Sequence, residues 1–169
     1  LAGTSFAPGF DFVNNDTQPN DDEGHGTHVT GTIAQSTNNG EGVAGLAYRA
    51  AIMPVKVLDR WGSGTYGDIS NAIRWAADKG ADVINLSLGG PFPSQTMEDA
   101  LAYAYGKGVT IVAAAGNDGT GTISYPAAYD SYVIAVGATR YDETRAYYTN
   151  YGSRLDILAP GGDMNVDQS

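Results

Sequence analysis

The chain has 169 residues, and 19 acidic residues against 9 basic ones give it a formal net charge of -10. This length predicts one domain, or part of one, with a substantial hydrophobic core. The excess of negative charge argues against nucleic acid and anionic membranes as partners and favours the binding of cations. The sequence has no cysteine, no apolar run long enough to span a membrane and no basic-then-apolar leader, so we expect no disulfide, membrane span or signal peptide within it, as for a mature, processed chain.

The first predicted elements lie in the N-terminal part of the chain. Residues 10–13 alternate like a strand that leads to a turn. Val29 and Ile33 keep helical spacing behind His25, which predicts a buried, tightly packed helix with His25 in its first turn. An apolar, β-rich run at 52–58 predicts the next strand.

Helices and strands alternate along the rest of the chain. Two helices are predicted, over 69–77 with Asp68 as the cap and over 97–104 with Thr96 as the cap. This alternation predicts an α/β fold of three layers, with a mostly parallel, doubly wound sheet and helices on both faces. The remaining strands are predicted at 83–88, 109–115 and 133–136.

Both histidines lie in one glycine-rich segment, residues 24–31, which reads Gly-His-Gly-Thr-His-Val-Thr-Gly. An imidazole has an ordinary pKa of about 6.5, so it can take and return a proton near neutrality, as a general base does. Gly24 and Gly26 leave space beside His25 for a hydroxyl group and a substrate backbone. A packed histidine at a helix start is the alternative. A zinc site at His25 and His28 is disfavoured, because no glutamate lies between them and no third ligand is evident.

Polar residues and glycines follow three of the predicted strands. The apolar run at 111–115 ends abruptly in Gly116 and Asn117, which is typical of a parallel strand that delivers a polar group at its carboxyl end. Gly-Ser-Gly at 62–64 and Ser-Leu-Gly at 87–89 follow two other strands. Because ligands bind at the carboxyl ends of parallel strands, these segments predict one cleft, whereas ordinary turns are the alternative.

Together these segments resemble the subtilisin-like serine proteases, or subtilases. The resemblance also includes residues 83–90, Ser-Tyr-Pro at 124–126 and Leu-Ala-Pro-Gly at 158–161, so it covers nearly the whole chain in family order. Within this family, the segments are similar to those of thermitase-like and bacterial subtilisin-type members. It implies an incomplete subtilisin-like fold, with residues 1–169 as the central part of a single peptidase domain.

The resemblance implies a serine endopeptidase that hydrolyses peptide bonds through an acyl-enzyme. His25 matches the base, Asn117 matches the donor to the oxyanion, and His28 matches a structural histidine. The family's orienting aspartate lies upstream of the histidine and its nucleophilic serine lies downstream of Ala-Pro-Gly, so both are expected outside this chain, and the fragment alone is expected to be inactive. The alternative is a catalytically dead, subtilase-like peptide-binding module.

One segment near the N-terminus imitates the nucleophile motif. Residues 3–8 read Gly-Thr-Ser-Phe-Ala-Pro, which would make Ser5 the nucleophile of a permuted enzyme. The nucleophile motif must begin a long buried helix, whereas Ser5 is followed by Pro8, Gly9 and a strand-like alternation. We therefore interpret Ser5 as a decoy.

Polypeptide substrates are implied, held between two glycine-rich edges by main-chain hydrogen bonds that ignore side-chain identity, which predicts broad specificity. Tyr66 and Ile69 would line a pocket for an apolar residue before the scissile bond, and the small residues 115, 116 and 124 would leave the primary pocket roomy. The substrate residues are Gly62, Ser63, Gly64, Tyr66, Ile69, Ser87, Leu88, Gly89, Ala115, Gly116 and Ser124.

The resemblance also implies structural Ca²⁺ in two loops, because hard cations prefer oxygen ligands. Solvated polar turns are the alternative, and a purely structural calcium-binding domain is a weaker hypothesis for the whole chain. In the first loop, Asn14 replaces an aspartate of thermitase-like members, which weakens the site. We further expect a secreted monomer that has a propeptide or protein inhibitor as a further partner. The ligands are Asp11, Asn14, Asp16, Gln18 and Asn20 in the first loop and Thr37, Asn39, Glu41 and Val43 in the second.

Overall fold

The structure is a computed structural model that describes residues 1–165 of the chain. The chain forms two compact units, Leu1–Ala76 and the residues from Ala77 onward.

Short parallel strand pairs build part of the first unit. β1 (Ser5–Phe6) pairs with β3 (Ala51–Ile52), and β2 (Phe10–Asp11) pairs with β4 (Val55–Lys56). The prediction of one strand over 52–58 was wrong, because Pro54 has no N–H to continue a ladder and divides the run in two.

The first unit carries α1 (His25–Ala34) and most of α2 (Tyr66–Asp78). The prediction of a buried helix behind His25 was wrong, since only Ala34 of α1 is buried. Glycine and threonine dominate α1, so it has few large apolar side chains to bury. By contrast, α2 buries a regular stripe along one face. The buried residues of α2 are Ile69, Ser70, Ala72, Ile73, Ala76 and Ala77.

The cap of α2 also differs from the prediction. Helix α2 begins at Tyr66, and the hydroxyl of Thr65 accepts a 3.0 Å hydrogen bond from the backbone N–H of Asp68. The same hydroxyl donates to the Asp68 carboxylate at 2.7 Å. Thr65 is therefore the capping residue, and Asp68 lies in the first turn, where a negative charge interacts favourably with the helix dipole.

A four-stranded, fully parallel sheet is the centre of the second unit. Its order is β5-β6-β7-β8, which is also the order along the chain. Inward and outward residues alternate in β5 and β6, and the inward ones are buried. The sequence pattern does not predict β8. The strands are β5 (Val83–Leu86), β6 (Thr110–Ala114), β7 (Ile134–Thr139) and β8 (Ile157–Pro160).

α3 (Gln95–Gly106) connects β5 to β6 and contacts β6. Its cap is Ser94 and not Thr96 as predicted, because the side chain of Ser94 accepts a hydrogen bond from the N–H of Met97. Full burial of a large apolar side chain such as Met97 or Leu101 stabilises a fold by about 1.5–3 kcal/mol, so this face of α3 contributes to the unit's core. The buried face consists of Met97, Ala100, Leu101 and Ala104.

Candidate active site

His25 is the first residue of α1, and its side chain is exposed. Gly24 precedes it at a φ of 104°, which only glycine adopts without strain, and a Cβ at this position would meet no atom within 4 Å. The sequence therefore requires glycine there for its backbone conformation. Within residues 1–165 the imidazole of His25 has no hydrogen-bond partner. His28, one turn later, is also exposed.

Asp21 holds the start of α1. Its carboxylate accepts hydrogen bonds from the backbone N–H groups of Glu23 (3.0 Å), Gly24 (2.8 Å) and Thr27 (2.7 Å). The hydroxyl of Thr27 donates a fourth bond, at 2.6 Å. This hydroxyl, followed by the backbone donors, outweighs partial desolvation and holds the pKa of Asp21 far below its ordinary value. Sequence reasoning missed Asp21, although an aspartate shortly before a helix start is a known capping signal.

Asn117 follows β6 at the carboxyl end of the strand. The buried Ala115 continues the ladder by donating its N–H to the carbonyl of Val136 at 2.8 Å. Gly116 then turns the chain at a φ of 109°, and a Cβ there would overlap the side chains of Asn150 and Ser124. Asn117 itself is exposed, and its carboxamide has no hydrogen-bond partner among the described residues. The strand is therefore followed by an exposed amide side chain that is uncommitted within the described residues.

Asn150 braces the loop that carries Asn117. Its side chain is 1% exposed, and its Oδ1 accepts hydrogen bonds from the N–H groups of Asp118 (2.9 Å) and Thr120 (3.3 Å). Its Nδ2 donates to the Asp118 carboxylate at 3.3 Å and to the Ser124 hydroxyl at 3.4 Å. Sequence reasoning missed Asn150, because it lies 32 residues from Asp118 and no local pattern marks it.

Three predicted substrate segments come together in the second unit. The N–H of Ser124 donates to the carbonyl of Ala115 at 2.9 Å. A Cβ on Gly89 would lie 3.2 Å from the Cβ of Ser124, so the segment after β5 passes close to Ser124. Gly90 and Tyr125 exchange backbone hydrogen bonds of 2.8 and 2.9 Å. The segments 87–89, 115–116 and 124 are therefore neighbours beyond the carboxyl ends of β5 and β6.

The remaining predicted substrate residues, Gly62, Ser63, Gly64, Tyr66 and Ile69, lie in the first unit. Oδ1 of Asp59 accepts hydrogen bonds from the N–H groups of Trp61 (2.9 Å) and Ser63 (3.0 Å), which fixes a tight turn. These two donors lower the pKa of the Asp59 carboxyl, with the bond from Ser63 as the largest cause. Tyr66 is half-buried, whereas Ile69 is 5% exposed and lies on the buried face of α2.

In the first proposed calcium loop, other groups of the protein already bind the carboxylate of Asp11. The buried carboxylate of Asp11 accepts hydrogen bonds from the N–H of Val13 (2.8 Å) and from the N–H and Nδ2 of Asn14 (both 2.9 Å). The ammonium group of Lys56 lies 3.6 Å from Asp11 and also pairs with Asp22. Burial opposes ionisation of Asp11, but the bonds from Asn14 and the charge of Lys56 keep its pKa below the ordinary value.

The first loop in this arrangement does not fit Ca²⁺, because Lys56 and Asn14 already engage the Asp11 carboxylate. Asp16 accepts a 2.8 Å bond from the N–H of Gln18, and Asn20 is exposed. Among residues 1–165 no group of three or more His, Cys, Asp or Glu side chains could hold a metal ion.

In the second proposed calcium loop, by contrast, few hydrogen bonds engage the proposed ligand oxygens. No backbone N–H in the described part of the chain donates to the carbonyls of Thr37, Glu41 or Val43. The side-chain oxygen of Asn39 accepts only a long bond of 3.2 Å, from the N–H of Glu41. Carbonyl and amide oxygens of this kind suit a hard cation, so the second loop fits Ca²⁺ better than the first.

Fold and site together define an α/β protein whose ligands would bind beyond the carboxyl ends of parallel strands. Comparison with known proteins is more specific. The sequence model Peptidase_S8, described as the subtilase family, matches residues 2–169. The chain therefore belongs to the subtilase family, and the resemblance seen in the sequence is confirmed.

Individual relatives agree with this assignment. The chain is 51% identical over 156 residues to the "Thermophilic serine proteinase" of Bacillus sp. (strain AK1), covering 92% of this chain and 39% of the relative. It is 48% identical over 153 residues to "Thermitase" of Thermoactinomyces vulgaris, covering 90% of this chain and 54% of the relative. The chain thus spans 39% and 54% of the lengths of these two relatives.

Solved structures support the fold. A protease from Pseudoalteromonas arctica PAMC 21717 superposes with a TM-score of 0.88 at 35% sequence identity, over 98% of this chain and 60% of that one. This agreement confirms the predicted α/β, subtilisin-like fold class.

Proposed function

We propose that this chain is the central part of the catalytic domain of a subtilisin-type serine endopeptidase. The observation that carries the proposal is the exposed, uncommitted carboxamide of Asn117 on a braced loop at the carboxyl end of β6. The family match and the glycine-supported neighbourhood of Ser124 support it further. The nucleophilic serine and the orienting aspartate are proposed to lie outside residues 1–169.

In this mechanism, His25 accepts the proton of the serine hydroxyl as that oxygen attacks the peptide carbonyl carbon. The protonated imidazole then gives this proton to the nitrogen of the leaving amine, which leaves an acyl-enzyme. A water molecule then attacks the carbonyl carbon of the acyl-enzyme, with His25 again as the base. This step releases the acid product and restores the serine. Because the carbonyl oxygen becomes negative in each tetrahedral intermediate, the carboxamide N–H of Asn117 stabilises both steps.

Substrate binding is proposed along backbone edges. Residues 62–64 and 87–89 offer glycine-rich segments with little side-chain bulk, so an extended polypeptide can pair with them through main-chain hydrogen bonds. The small residues Ala115, Gly116 and Ser124 are proposed to line a roomy primary pocket. Broad specificity follows, since recognition then depends on peptide backbone more than on side chains.

Structural Ca²⁺ is proposed for the second loop only. The carbonyls of Thr37, Glu41 and Val43, which accept no backbone hydrogen bond within residues 1–165, and the side-chain oxygen of Asn39 would hold the ion together with ligands from outside this chain. In the first loop, Lys56 and Asn14 already engage the Asp11 carboxylate, so its oxygen atoms are less available to a cation.

A secreted monomer is proposed, with a propeptide or protein inhibitor as a further occupant of the proposed cleft. Support comes from the kinship with bacterial subtilisins and from the net charge of -10, which favours solubility. Among residues 1–165, no helix combines the length and apolarity that a membrane crossing requires.

The deciding experiment replaces Asn117 by Ala in the full-length enzyme that contains this chain. We expect kcat for peptide hydrolysis to fall by about 10²–10³ with KM nearly unchanged, a magnitude carried over from measurements on subtilisin itself. Peptide binding without any turnover by the unmutated protein would support a non-catalytic binding module instead.

A further inference from the structure

We propose that Asn150 is a positioning residue for the oxyanion donor Asn117, an inference that rests on the proposed function. Asn150 does not touch the reacting atoms. It acts by fixing the backbone on both sides of Asn117, so that the carboxamide of Asn117 projects in one direction.

Both peptide planes that flank Asn117 are held by Asn150. The backbone N–H of Asn150 donates a 2.9 Å hydrogen bond to the carbonyl of Gly116, which belongs to the plane before Asn117. Oδ1 of Asn150 accepts a 2.9 Å bond from the N–H of Asp118, which belongs to the plane after it. Because a peptide unit is planar, these two bonds together restrict both backbone dihedrals of Asn117.

Neighbouring residues of the same segment extend this brace. Gly119 donates its N–H to the carbonyl of Tyr148 at 2.7 Å, and Tyr151 donates its N–H to the carbonyl of Thr120 at 2.9 Å. The side chain of Asn150 fills the space beside Gly116, where a Cβ would overlap its amide. The loop that carries Asn117 therefore has little room for an alternative conformation.

The chemistry of this position requires a carboxamide. The side chain must accept from two N–H groups on one side and donate to the Asp118 carboxylate and the Ser124 hydroxyl on the other. Alanine would leave the part-buried N–H groups of Asp118 and Thr120 without this acceptor, and leucine could make none of these bonds. Aspartate would keep the two bonds from the N–H groups but would face the Asp118 carboxylate with a like charge.

Positioning of this kind affects the transition state more than substrate binding. An oxyanion donor is effective because it is fixed before charge develops on the substrate oxygen. Loosening the loop would therefore lower kcat and leave KM nearly unchanged. We expect a loss smaller than that caused by removing Asn117 itself, about 10- to 100-fold.

A double-mutant cycle in the full-length enzyme tests this inference. The variants are Asn150→Ala, Asn117→Ala and their combination, with Thr149→Val as the matched control. Thr149 is also 1% exposed, but its Oγ1 accepts from the N–H of Ala138, and no hydrogen bond joins that Oγ1 to residues 116–120 in the described part of the chain. The measurements are kcat, KM, the melting temperature and the affinity for a peptide boronic acid that imitates the tetrahedral intermediate.

We expect Asn150→Ala to lower kcat and boronate affinity by similar factors, and to lower kcat no further when Asn117 is already alanine. Thr149→Val should lower the melting temperature but keep kcat. Additive losses in the cycle, an equal kcat loss in Thr149→Val, or full kcat in Asn150→Ala would each overturn the inference. If Asn150→Ala does not fold, Asn150→Leu, which fills a similar volume but can make none of these hydrogen bonds, takes its place in the same cycle.

The two proposals fail in different ways. Full kcat in Asn117→Ala would end the assignment of the oxyanion donor, and with it the proposed function. A large loss in Asn117→Ala combined with additive losses would leave the proposed function intact and remove only the role of Asn150.

Discussion

The backbone N–H of Asp118 donates a 2.9 Å hydrogen bond to Oδ1 of Asn150, which is 99% buried and lies 32 residues further along the chain. This bond fixes the peptide that follows Asn117 and connects the end of one strand with the segment before another. A solvent-exposed donor is thus held in place by a buried amide, which combines access to substrate with a defined direction.

The role of His25 can be tested against His28, since both are exposed residues of α1. We expect His25→Ala in the full-length enzyme to abolish turnover, because the nucleophile loses its base, and to leave the calcium-dependent melting temperature unchanged. His28→Ala on the same helix is the control and should retain kcat. Peptide hydrolysis and melting with and without chelator provide the readouts. Unimpaired hydrolysis by His25→Ala would exclude it as the base.

Asp21 should make the start of α1 sensitive to acid. Its pKa is lowered in the folded state, so its stabilising contribution is present above the ordinary carboxyl pKa of about 3.9 and is lost as the pH falls towards the lowered value. Asp21→Ala should remove this pH dependence and speed amide hydrogen exchange at Glu23, Gly24 and Thr27.

Asp142 offers the matched control for Asp21. Hydrogen bonds from Thr144, first from its hydroxyl, also lower the pKa of Asp142, but that residue lies in the second unit. Asp142→Ala should leave exchange at residues 23–27 unchanged. Equal protection of those amides in Asp21→Ala and the unmutated protein would show that Asp21 does not hold the helix start.

Calcium dependence should reside in the second loop. Asn39→Ala should reduce the difference between the melting temperatures measured with Ca²⁺ and with chelator, because it removes a side-chain oxygen from the proposed site. Asn14→Ala in the first loop should leave that difference unchanged, since the side chain of Asn14 donates to Asp11. The reverse pattern would place the ion in the first loop.

Gly116 and Gly106 make a matched pair of glycines. A Cβ at Gly116 would overlap Asn150 and Ser124 at a φ of 109°, so Gly116→Ala should destabilise the protein and lower kcat. Gly106 ends α3 in open space, so Gly106→Ala should keep kcat and be neutral or stabilising, by up to about 1 kcal/mol. Urea unfolding measures both changes. Wild-type stability in Gly116→Ala would show that the loop can rearrange.

Local patterns in the sequence predicted much of the secondary structure. The spacing of Ile69, Ile73 and Ala76 indicated the buried face of α2, since helical period is a property of neighbouring residues alone. The caps were displaced by a few residues, because several hydroxyl and carboxylate side chains lie near each helix start and backbone geometry selects among them. Thr65 and Ser94 cap α2 and α3 for that reason.

The sequence by itself determined the family, the parallel α/β class and the presence of Asn117 at a strand end, because these depend on short motifs and on the periodicity of apolar residues. Only the tertiary structure decided that Lys56 occupies the neighbourhood of Asp11 and that Asn150 braces the loop of Asn117. Both pairings join residues more than thirty positions apart in the chain, and such contacts depend on how strands and loops come together in space.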